Sequence, residues 1–396
     1  MIIKKKARQK INFKIGITIV CALFFFDGFS QSNASFFFAS KYCRDSVTEQ
    51  LVNQIESTVP LPFTRDNYGK WAASFWAMEL MLYKPPNFYQ KLPQLILVIS
   101  KTPPAFQRSF LEMLYTLYPK TFVKNIASIW QILGSDKAKA MALEYMAMAN
   151  YFPKINKDDM FRQSAYYPIY RQSYQQQQLI TLTKNAFLNP KFLTGQTLLC
   201  SFQNNNRNIP GYLMLRKPNG KWVTDDGGKP LQFPQLARSI TNFPFYLTNG
   251  NTPQGLYKIT GLATSTNNWI GPTTNLQLVL PFEDSATVFF GTDTSFKEAY
   301  KKLLQPLQNY LALYQSFIAG QLGRSEIIAH GTTINPAYYQ LQKYYPLTPS
   351  LGCLCSPEIW DSNGQLIKSV QQQWIDALQK LQPQPIYLVV AVVKDL

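Results

Sequence analysis

The residues best suited to covalent chemistry lie in one stretch near the C-terminus. His330 is the single histidine among 396 residues, and Cys353 follows it beyond one further segment. A cysteine attacks as its thiolate, and imidazole is the usual acceptor of the thiol proton. Gly352 is expected to let backbone N–H groups point at a developing oxyanion beside the sulfur. The pair of His330 and Cys353 therefore predicts a cysteine nucleophile with a histidine base.

Cys355 leaves two other kinds of chemistry open. With Cys353 and His330 it offers zinc three ligands of a suitable type, although a fourth ligand and any Cys-x-x-Cys pair are missing. It could also act as a resolving thiol that closes on Cys353, because residues two apart on a strand point to the same face. The plainer interpretation is a small buried side chain.

Other catalytic patterns have weaker support. The carboxylate pairs Glu283–Asp284 and Asp225–Asp226 are adjacent in sequence, and adjacent strand residues point to opposite faces. The stretch TDDGGKP, residues 224–230, lacks the spacing and the following helix of a phosphate-binding loop. No helix-turn-helix, zinc-finger or RNA-recognition motif occurs. These observations disfavour carboxylate-pair hydrolysis and nucleic-acid binding.

The first 34 residues have the layout of a secretory signal peptide. A basic segment from Lys4 to Lys14 precedes an apolar run from Ile15 to Phe26, and Ser32 and Ala34 suit an export cleavage site. The apolar run is shorter than the roughly 20 residues that a membrane-spanning helix needs. We therefore predict a signal peptide over residues 1–34 and an exported protein of the periplasm or cell envelope. An uncleaved membrane anchor is the alternative.

The charge of the chain favours anionic partners. Removing the signal peptide would lower the formal net charge from +17 to +12, because six cations and one carboxylate leave with it. An exported basic protein meets anionic envelope polymers and lipid headgroups before it meets nucleic acid. A basic surface that serves solubility alone is the alternative.

The cysteine content does not indicate a disulfide-rich fold. Cys21 would leave with the signal peptide, and four cysteines are few for so long an exported chain. A bridge between Cys43 and Cys200 stays open, since spacing alone cannot establish it.

The N-terminal half shows helical periodicity. Apolar residues recur at three- and four-residue spacing over residues 42–165. Tyr83, Tyr118 and Tyr151 each follow such a segment and lie close to a proline, at separations of 35 and 33 residues. This period is typical of stacked helical hairpins, for which three units are the minimum. We predict an all-α, repeat-like module over 42–165 and a connector over 166–204.

The C-terminal half has a β texture. GYLMLRKPNGKWV, residues 211–223, indicates two strands around a turn, and several short apolar runs follow between Gly, Pro and Asn. Helices are expected near 295–322 and 369–381, and PIYLVVAVV, residues 385–393, indicates a central strand. The sum is a multidomain α+β chain, in which a mainly β catalytic module with helical insertions occupies residues 205–396.

This C-terminal module resembles the L,D-transpeptidase catalytic domain family of bacterial cell-wall enzymes. The family signature is a histidine–glycine pair at a strand end, a loop, and then Ser/Thr-His-Gly-Cys. The matching residues are His330–Gly331–Thr332 and Ser350–Leu351–Gly352–Cys353–Leu354–Cys355. An upstream Thr-Pro-x-Gly landmark matches Thr252–Thr260, TPQGLYKIT, and residues 270–282 look like its continuation. The resemblance covers about residues 210–396.

The resemblance implies a cysteine acyltransferase without metal or cofactor. Cys353 would attack a peptidoglycan stem peptide at the amide before its D-alanine, with His330 as general base and the Gly331 carbonyl orienting the ring. The residues implied to bind substrate and oxyanion are Gly352, Ser350 and Leu354. An amine of a neighbouring stem would resolve the thioester to a 3-3 cross-link, whereas water would trim the stem as an L,D-carboxypeptidase does.

Three departures from the family pattern alter these expectations. Leu351 replaces the second histidine, Cys355 replaces an Arg or Asn, and the loop 331–349 is somewhat long at 19 residues. Without that Arg, a substrate carboxylate needs another partner, for which Arg324 and Lys343 are candidates. We expect altered or weak activity.

The alternative function is non-enzymatic. In it, the chain is a catalytically degenerate peptidoglycan-binding or envelope scaffold protein, whose helical module recruits an envelope partner. If the chain is an enzyme, the helices between 290 and 330 are expected to form an insertion that covers the cleft as a lid.

Overall fold

The computed structural model describes residues 35–152, 157–169 and 182–396. The segment expected to be the signal peptide, 1–34, and part of the expected connector lie outside these ranges. Within them, the helices are too short or too polar to cross a membrane. All described residues belong to one compact unit.

Helices dominate the chain before the sheet begins. The helices described there are α1 (Lys41–Thr58), α2 (Tyr68–Met81), α3 (Phe88–Ile99), α4 (Pro104–Leu117), α5 (Val123–Ile129), α6 (Asp136–Met148) and α7 (Lys157–Arg162). Ser40 caps α1 by accepting a hydrogen bond from the Cys43 N–H at 3.2 Å, and Ser135 caps α6 in the same way. Helix α2 packs on α1 and α4, and α4 packs on α6.

The second half is built around a mixed sheet, so the fold is α+β. Its strands are β1 (Leu198–Gln203), β2 (Gly211–Arg216), β3 (Phe233–Gln235), β4 (Gly255–Ala263), β5 (Asn275–Val279), β6 (Ala329–His330), β7 (Leu354–Cys355) and β10 (Tyr387–Val392). They are ordered β3-β2-β1-β10-β4-β5-β6-β7. The pairs β1–β10 and β6–β7 are parallel and the others antiparallel. A separate hairpin joins β8 (Glu358–Trp360) to β9 (Leu366–Ser369).

Strand β10 shows why the sheet is buried on both faces. It lies between β1 and β4, as its wholly apolar sequence predicts. Leu388 and Val390 pack into a large core shared with the N-terminal helices, whereas Val389 and Ala391 pack into a second core on the other face. The side chains alternate because successive strand residues point to opposite faces. The expected helical and β modules therefore share one continuous core.

The second core is covered by three helices, the last two of which lie in the segment 290–330 that is expected to form a lid. They are α8 (Ala286–Phe290), α9 (Phe296–Leu303) and α10 (Gln315–Gln321), and α11 (Val370–Gln379) follows later in the chain. Tyr300 and Leu304 are fully buried in the second core. These helices thus form a packed layer against the sheet, in place of the expected cover over the cleft. The single helix expected near 295–322 is interrupted between α9 and α10.

The two cysteines considered for a disulfide are not bonded to each other. Cys43 lies in the large core and Cys200 in the second core, on the opposite face of the sheet. The sheet itself separates their sulfur atoms.

The N-terminal helices hold the loop 331–349. Arg44 of α1 donates from Nη2 to the Thr333 carbonyl at 3.1 Å. The Tyr338 hydroxyl contacts the Thr48 hydroxyl at 2.6 Å, and the Tyr339 hydroxyl donates to the Leu80 carbonyl at 2.7 Å. Three separate contacts therefore fix the segment that follows the single histidine.

Candidate functional site

The imidazole of His330 contacts a cysteine, but the sulfur is that of Cys355. His330 Nε2 lies 3.6 Å from Cys355 Sγ. The cause is strand register: β6 and β7 are parallel, and His330 is paired directly with Cys355. His330 Nδ1 contacts the Gly331 carbonyl, as the resemblance implies. Because a carbonyl can only accept, Nδ1 carries the ring proton and Nε2 accepts from the thiol.

Cys353 lies outside this contact. It precedes β7 and is partly exposed, and its sulfur lies 3.6 Å from the Glu326 carbonyl. The expected hydrogen bond between His330 and Cys353 is therefore not formed. The sequence order of the motif does not reveal which of two cysteines stands opposite the histidine, since that depends on the register of two short strands.

Burial keeps the His330–Cys355 pair uncharged. Burial lowers the pKa of His330 to about 4, against the opposing effect of the Gly331 carbonyl. Burial also raises the pKa of the Cys355 thiol, and the neighbouring Cys353 raises it further. At neutral pH the contact is a thiol–imidazole hydrogen bond and not a thiolate–imidazolium ion pair.

The Cys353 thiol has a different electrostatic environment. Burial raises its pKa, while a backbone hydrogen bond from Ile328, the Arg324 guanidinium and the Ser350 hydroxyl act in the opposite direction. Arg324 is thus the nearby cation that favours the Cys353 thiolate. Lys343, the other candidate for binding a carboxylate, is exposed on the loop 331–349.

Arg324 is held by carbonyl groups of a single loop. Its Nη1 donates to the carbonyls of Phe245 and Asn251 at 2.5 and 2.9 Å, and its Nη2 donates to the Gly250 carbonyl at 2.9 Å. Burial lowers the pKa of Arg324 to about 10, and the neighbouring Tyr257 and Cys353 raise it. The guanidinium is therefore a fixed charge behind the thiol, already engaged by the protein.

The turn before Cys353 is closed by Ser350. The N–H groups of Gly352 and Cys353 donate to Ser350 Oγ at 3.1 and 2.8 Å. These are the donors expected to stabilise an oxyanion, so a substrate oxygen would have to displace the hydroxyl. Leu354, also expected to bind substrate, is completely buried and cannot contact it. Leu351 is 46% exposed beside the thiol.

Gly352 is required by two neighbours. Its φ is +121°, a backbone conformation that favours glycine. A Cβ atom there would lie 2.4 Å from Arg324 Nη2 and 2.7 Å from the Gly250 carbonyl oxygen. The turn can approach the guanidinium only because it has no side chain at this position.

The two motifs that carry the resemblance meet at this turn. Thr252 Oγ1 donates to the Gly352 carbonyl at 2.9 Å. The Tyr257 hydroxyl, further along the upstream motif, donates to the Pro253 carbonyl at 2.7 Å and closes that loop. Residues 100 positions apart in sequence thus form one local structure.

Two groups at the site carry no sequence signal. The Glu358 carboxyl group lies against Gly331, where a Cβ atom would come within 2.1 Å of its Cδ. Burial raises the pKa of Glu358 to about 7. The loop of residues 245–251 binds Arg324, although its composition resembles any turn-rich segment.

Charged side chains of the helices lie near the loop that holds Arg324. Burial raises the pKa of Glu112 to about 7, and hydrogen bonding by Asn249 together with the charges of Arg108 and Lys137 opposes this rise. Asn249 Nδ2 donates to Glu112 Oε2 at 3.0 Å. Burial lowers the pKa of Lys137, which the charges of Arg108 and Arg324 lower further. Lys137 of α6 therefore interacts electrostatically with Arg324.

The alternative chemistries gain no support from the geometry. Within the described ranges, no three His, Cys, Asp or Glu side chains are grouped to hold a metal ion, the trio considered for zinc included. Asp225 Oδ1 accepts hydrogen bonds from the N–H groups of Gly227 and Lys229, and Glu283 accepts from those of Leu280 and Glu326. Both carboxylates shape the backbone.

In comparisons with models of protein families, with curated proteins and with solved structures, nothing matches this chain. The resemblance to the L,D-transpeptidase family therefore rests on the residues described above.

Proposed function

We propose that the protein is an exported cysteine acyltransferase that acts on peptidoglycan stem peptides through a Cys353 thioester. The Cys353 sulfur attacks the carbonyl carbon before the terminal D-alanine. The C–N bond breaks, D-alanine leaves with a proton on its amine, and the acyl group stays on sulfur. An amine of a second stem, or water, then attacks the thioester and the thiol is restored.

The observation that carries this proposal is the contact between Thr252 and Gly352. It joins the upstream motif to the turn that presents the one partly exposed thiol among the described cysteines. Burial raises the pKa of this thiol, and the Arg324 guanidinium opposes that rise. Displacement of Ser350 Oγ would free two N–H groups, and each donor to an oxyanion is worth about 3–4 kcal/mol in other acyl-transfer enzymes.

A second candidate is a catalytically degenerate scaffold that binds peptidoglycan. Two observations favour it: His330 contacts Cys355, and the N–H groups of the Cys353 turn are occupied by Ser350. In this alternative the cleft holds stem peptide without cleaving it.

Carbapenem labelling separates the two candidates, since a cysteine of this family forms a stable acyl adduct. We expect one adduct by intact-protein mass spectrometry, its loss in Cys353→Ala, and its retention in Cys355→Ala. The acyltransferase proposal is abandoned if the native protein forms no adduct or acylates Cys355 alone. Incubation with purified peptidoglycan, followed by mass spectrometry of the released peptides, then identifies cross-linked or trimmed products.

A further inference from the structure

A polar cavity of about 320 Å³ lies between the helices and the sheet. Tyr115 of α4 forms one wall, and Arg207, Asn242 and Asn251 from loops of the β half form the others. This volume falls within the range of small-ligand sites, about 300–1,000 Å³. Residues of the Cys353 turn do not line the cavity, so it is a separate site.

Arg207 lines the cavity, and its guanidinium forms few hydrogen bonds. Its Nη2 donates to the Thr252 carbonyl at 3.5 Å, a long hydrogen bond. Its Nη1 is inaccessible to water and has no hydrogen-bond partner, and no carboxylate of the described residues forms an ion pair with it. A guanidinium nitrogen that is buried without an acceptor is costly, because its N–H donors have left water and form no hydrogen bond in exchange. A carboxylate in the cavity would offset that cost with a small movement of the side chain.

The remaining lining indicates what else the ligand carries. Amide side chains face the cavity, from Asn205, Asn206, Asn242, Asn251, Gln254 and Gln315. Amides both donate and accept hydrogen bonds, as peptide groups do. Glu144 also lines the cavity and accepts a hydrogen bond from the Tyr246 hydroxyl. The formal charges of the lining residues, from Arg207 and Glu144, therefore sum to zero. A single carboxylate on an amide-rich ligand fits this balance better than a doubly charged phosphate.

We propose that this cavity binds a short peptide that ends in a free carboxylate, with the carboxylate paired to Arg207. The site goes beyond the proposed acyl transfer and does not require it. Thr252 nevertheless connects the two, because it lines the cavity and its hydroxyl bonds the residue before Cys353.

The test uses N-acetyl-alanyl-alanine as the probe in isothermal titration calorimetry with the whole chain. We expect saturable binding, and at least about tenfold weaker binding of the C-terminal amide of the same peptide, since a hydrogen bond to a charged group is worth about 1.5–3 kcal/mol. Arg207→Gln is expected to weaken binding of the acid to the level of the amide, and Arg207→Lys to weaken it less. Cys353→Ala is expected to bind as the native protein does, so failure here is distinct from failure of the acyltransferase proposal.

Two further variants serve as checks. Lys229→Gln removes one exposed positive charge outside the cavity and is expected to leave binding unchanged. Asn205→Trp places a bulky ring at an exposed lining residue and is expected to block binding without disturbing the fold, even if Arg207→Gln fails to fold. Equal binding of acid and amide, unchanged binding in Asn205→Trp, or equal binding of inorganic phosphate would each overturn the proposal.

Discussion

His330 Nε2 lies 3.6 Å from Cys355 Sγ, across a parallel strand pair that places the two residues directly opposite each other. Both groups are buried, so the imidazole is shielded from water on the side that faces the thiol. The single histidine thus contacts a buried sulfur. At the partly exposed sulfur of Cys353, burial raises the thiol pKa, and a backbone hydrogen bond from Ile328 and the Arg324 guanidinium oppose that rise.

The first prediction concerns the titration of His330. Its pKa is lowered to about 4 by burial, from an ordinary value of 6.5. Between about pH 4 and 6.5 the imidazole is therefore protonated in the unfolded chain and neutral in the native state. In this window His330 makes the free energy of unfolding increase as pH rises. NMR of the imidazole resonances should give a midpoint near 4 in the native protein and near 6.5 in urea. A native midpoint above 6 would contradict the buried placement.

The second prediction concerns thiol accessibility. Cys353 is partly exposed, whereas Cys43, Cys200 and Cys355 are buried. Because burial raises the pKa of Cys353, we expect alkylation by iodoacetamide to be slow at pH 7 and faster at pH 9. Among the cysteines within residues 35–396 that the structure describes, peptide mapping should place the label on Cys353 first. Equal labelling of Cys355 in the absence of denaturant would show that the β7 register is different in solution.

The third prediction concerns the dependence of stability on pH. The pKa of Glu112 is raised by burial from 4.5 to about 7, so the native state keeps a proton that the unfolded chain loses. This group makes stability fall as pH rises through that window, by at most about 1.4 kcal/mol per pH unit. Glu112→Gln retains an acceptor for Asn249 and should remove this part of the fall. Urea unfolding of both proteins at pH 5 and pH 7 measures the difference.

Other buried groups affect the same comparison. Glu358, with a pKa raised to about 7, acts in the same direction as Glu112, and His330 acts in the opposite direction. The effects of Glu358 and His330 are common to the native protein and to Glu112→Gln, so they cancel in the difference. The pKa of Glu79 is raised by burial and by the charge of Glu112, so the difference measures the Glu79–Glu112 pair together. Identical slopes for the two proteins would refute the assignment to Glu112.

The fourth prediction concerns Gly352. Gly352→Ala combines a positive φ with a Cβ atom 2.4 Å from Arg324 Nη2, and we expect a loss of about 2–4 kcal/mol in the free energy of unfolding. Gly69→Ala is the matched control, because nothing lies within 4 Å of the added Cβ in α2. That change should be neutral or stabilising by up to about 1 kcal/mol. Chemical denaturation of both variants checks this, and similar losses would contradict the packing at Gly352.

The elements that follow from local pattern could be predicted from the sequence. The apolar run 385–393 gives the central strand β10, and the amphipathic stretch 369–381 gives α11. The turn after β2 also forms, with Val223 N–H donating to the Leu215 carbonyl at 2.8 Å. In each case the pattern that specifies the element lies within the element itself.

The features that depend on distant packing could not be predicted. The helices α8 to α10 have the composition of a surface insertion, but Tyr300 and its neighbours fill a core whose other wall is the sheet. The same limit applies at the site. The loop that binds Arg324 beside the Cys353 turn begins at Phe245, 79 residues before Arg324. A sequence pattern describes one face of an element and does not identify the surface that it meets.

The hydrogen bonds from Arg44, Thr48 and Leu80 to the loop 331–349 limit how the two halves of this protein can be separated during evolution. A truncated form that begins at the sheet would expose the apolar face of β10 and its neighbours to water. Such a form should self-associate instead of folding. The helical half cannot be exchanged for a foreign domain as a cassette. A substitution at this shared core in one half therefore has to be accommodated by packing in the other half.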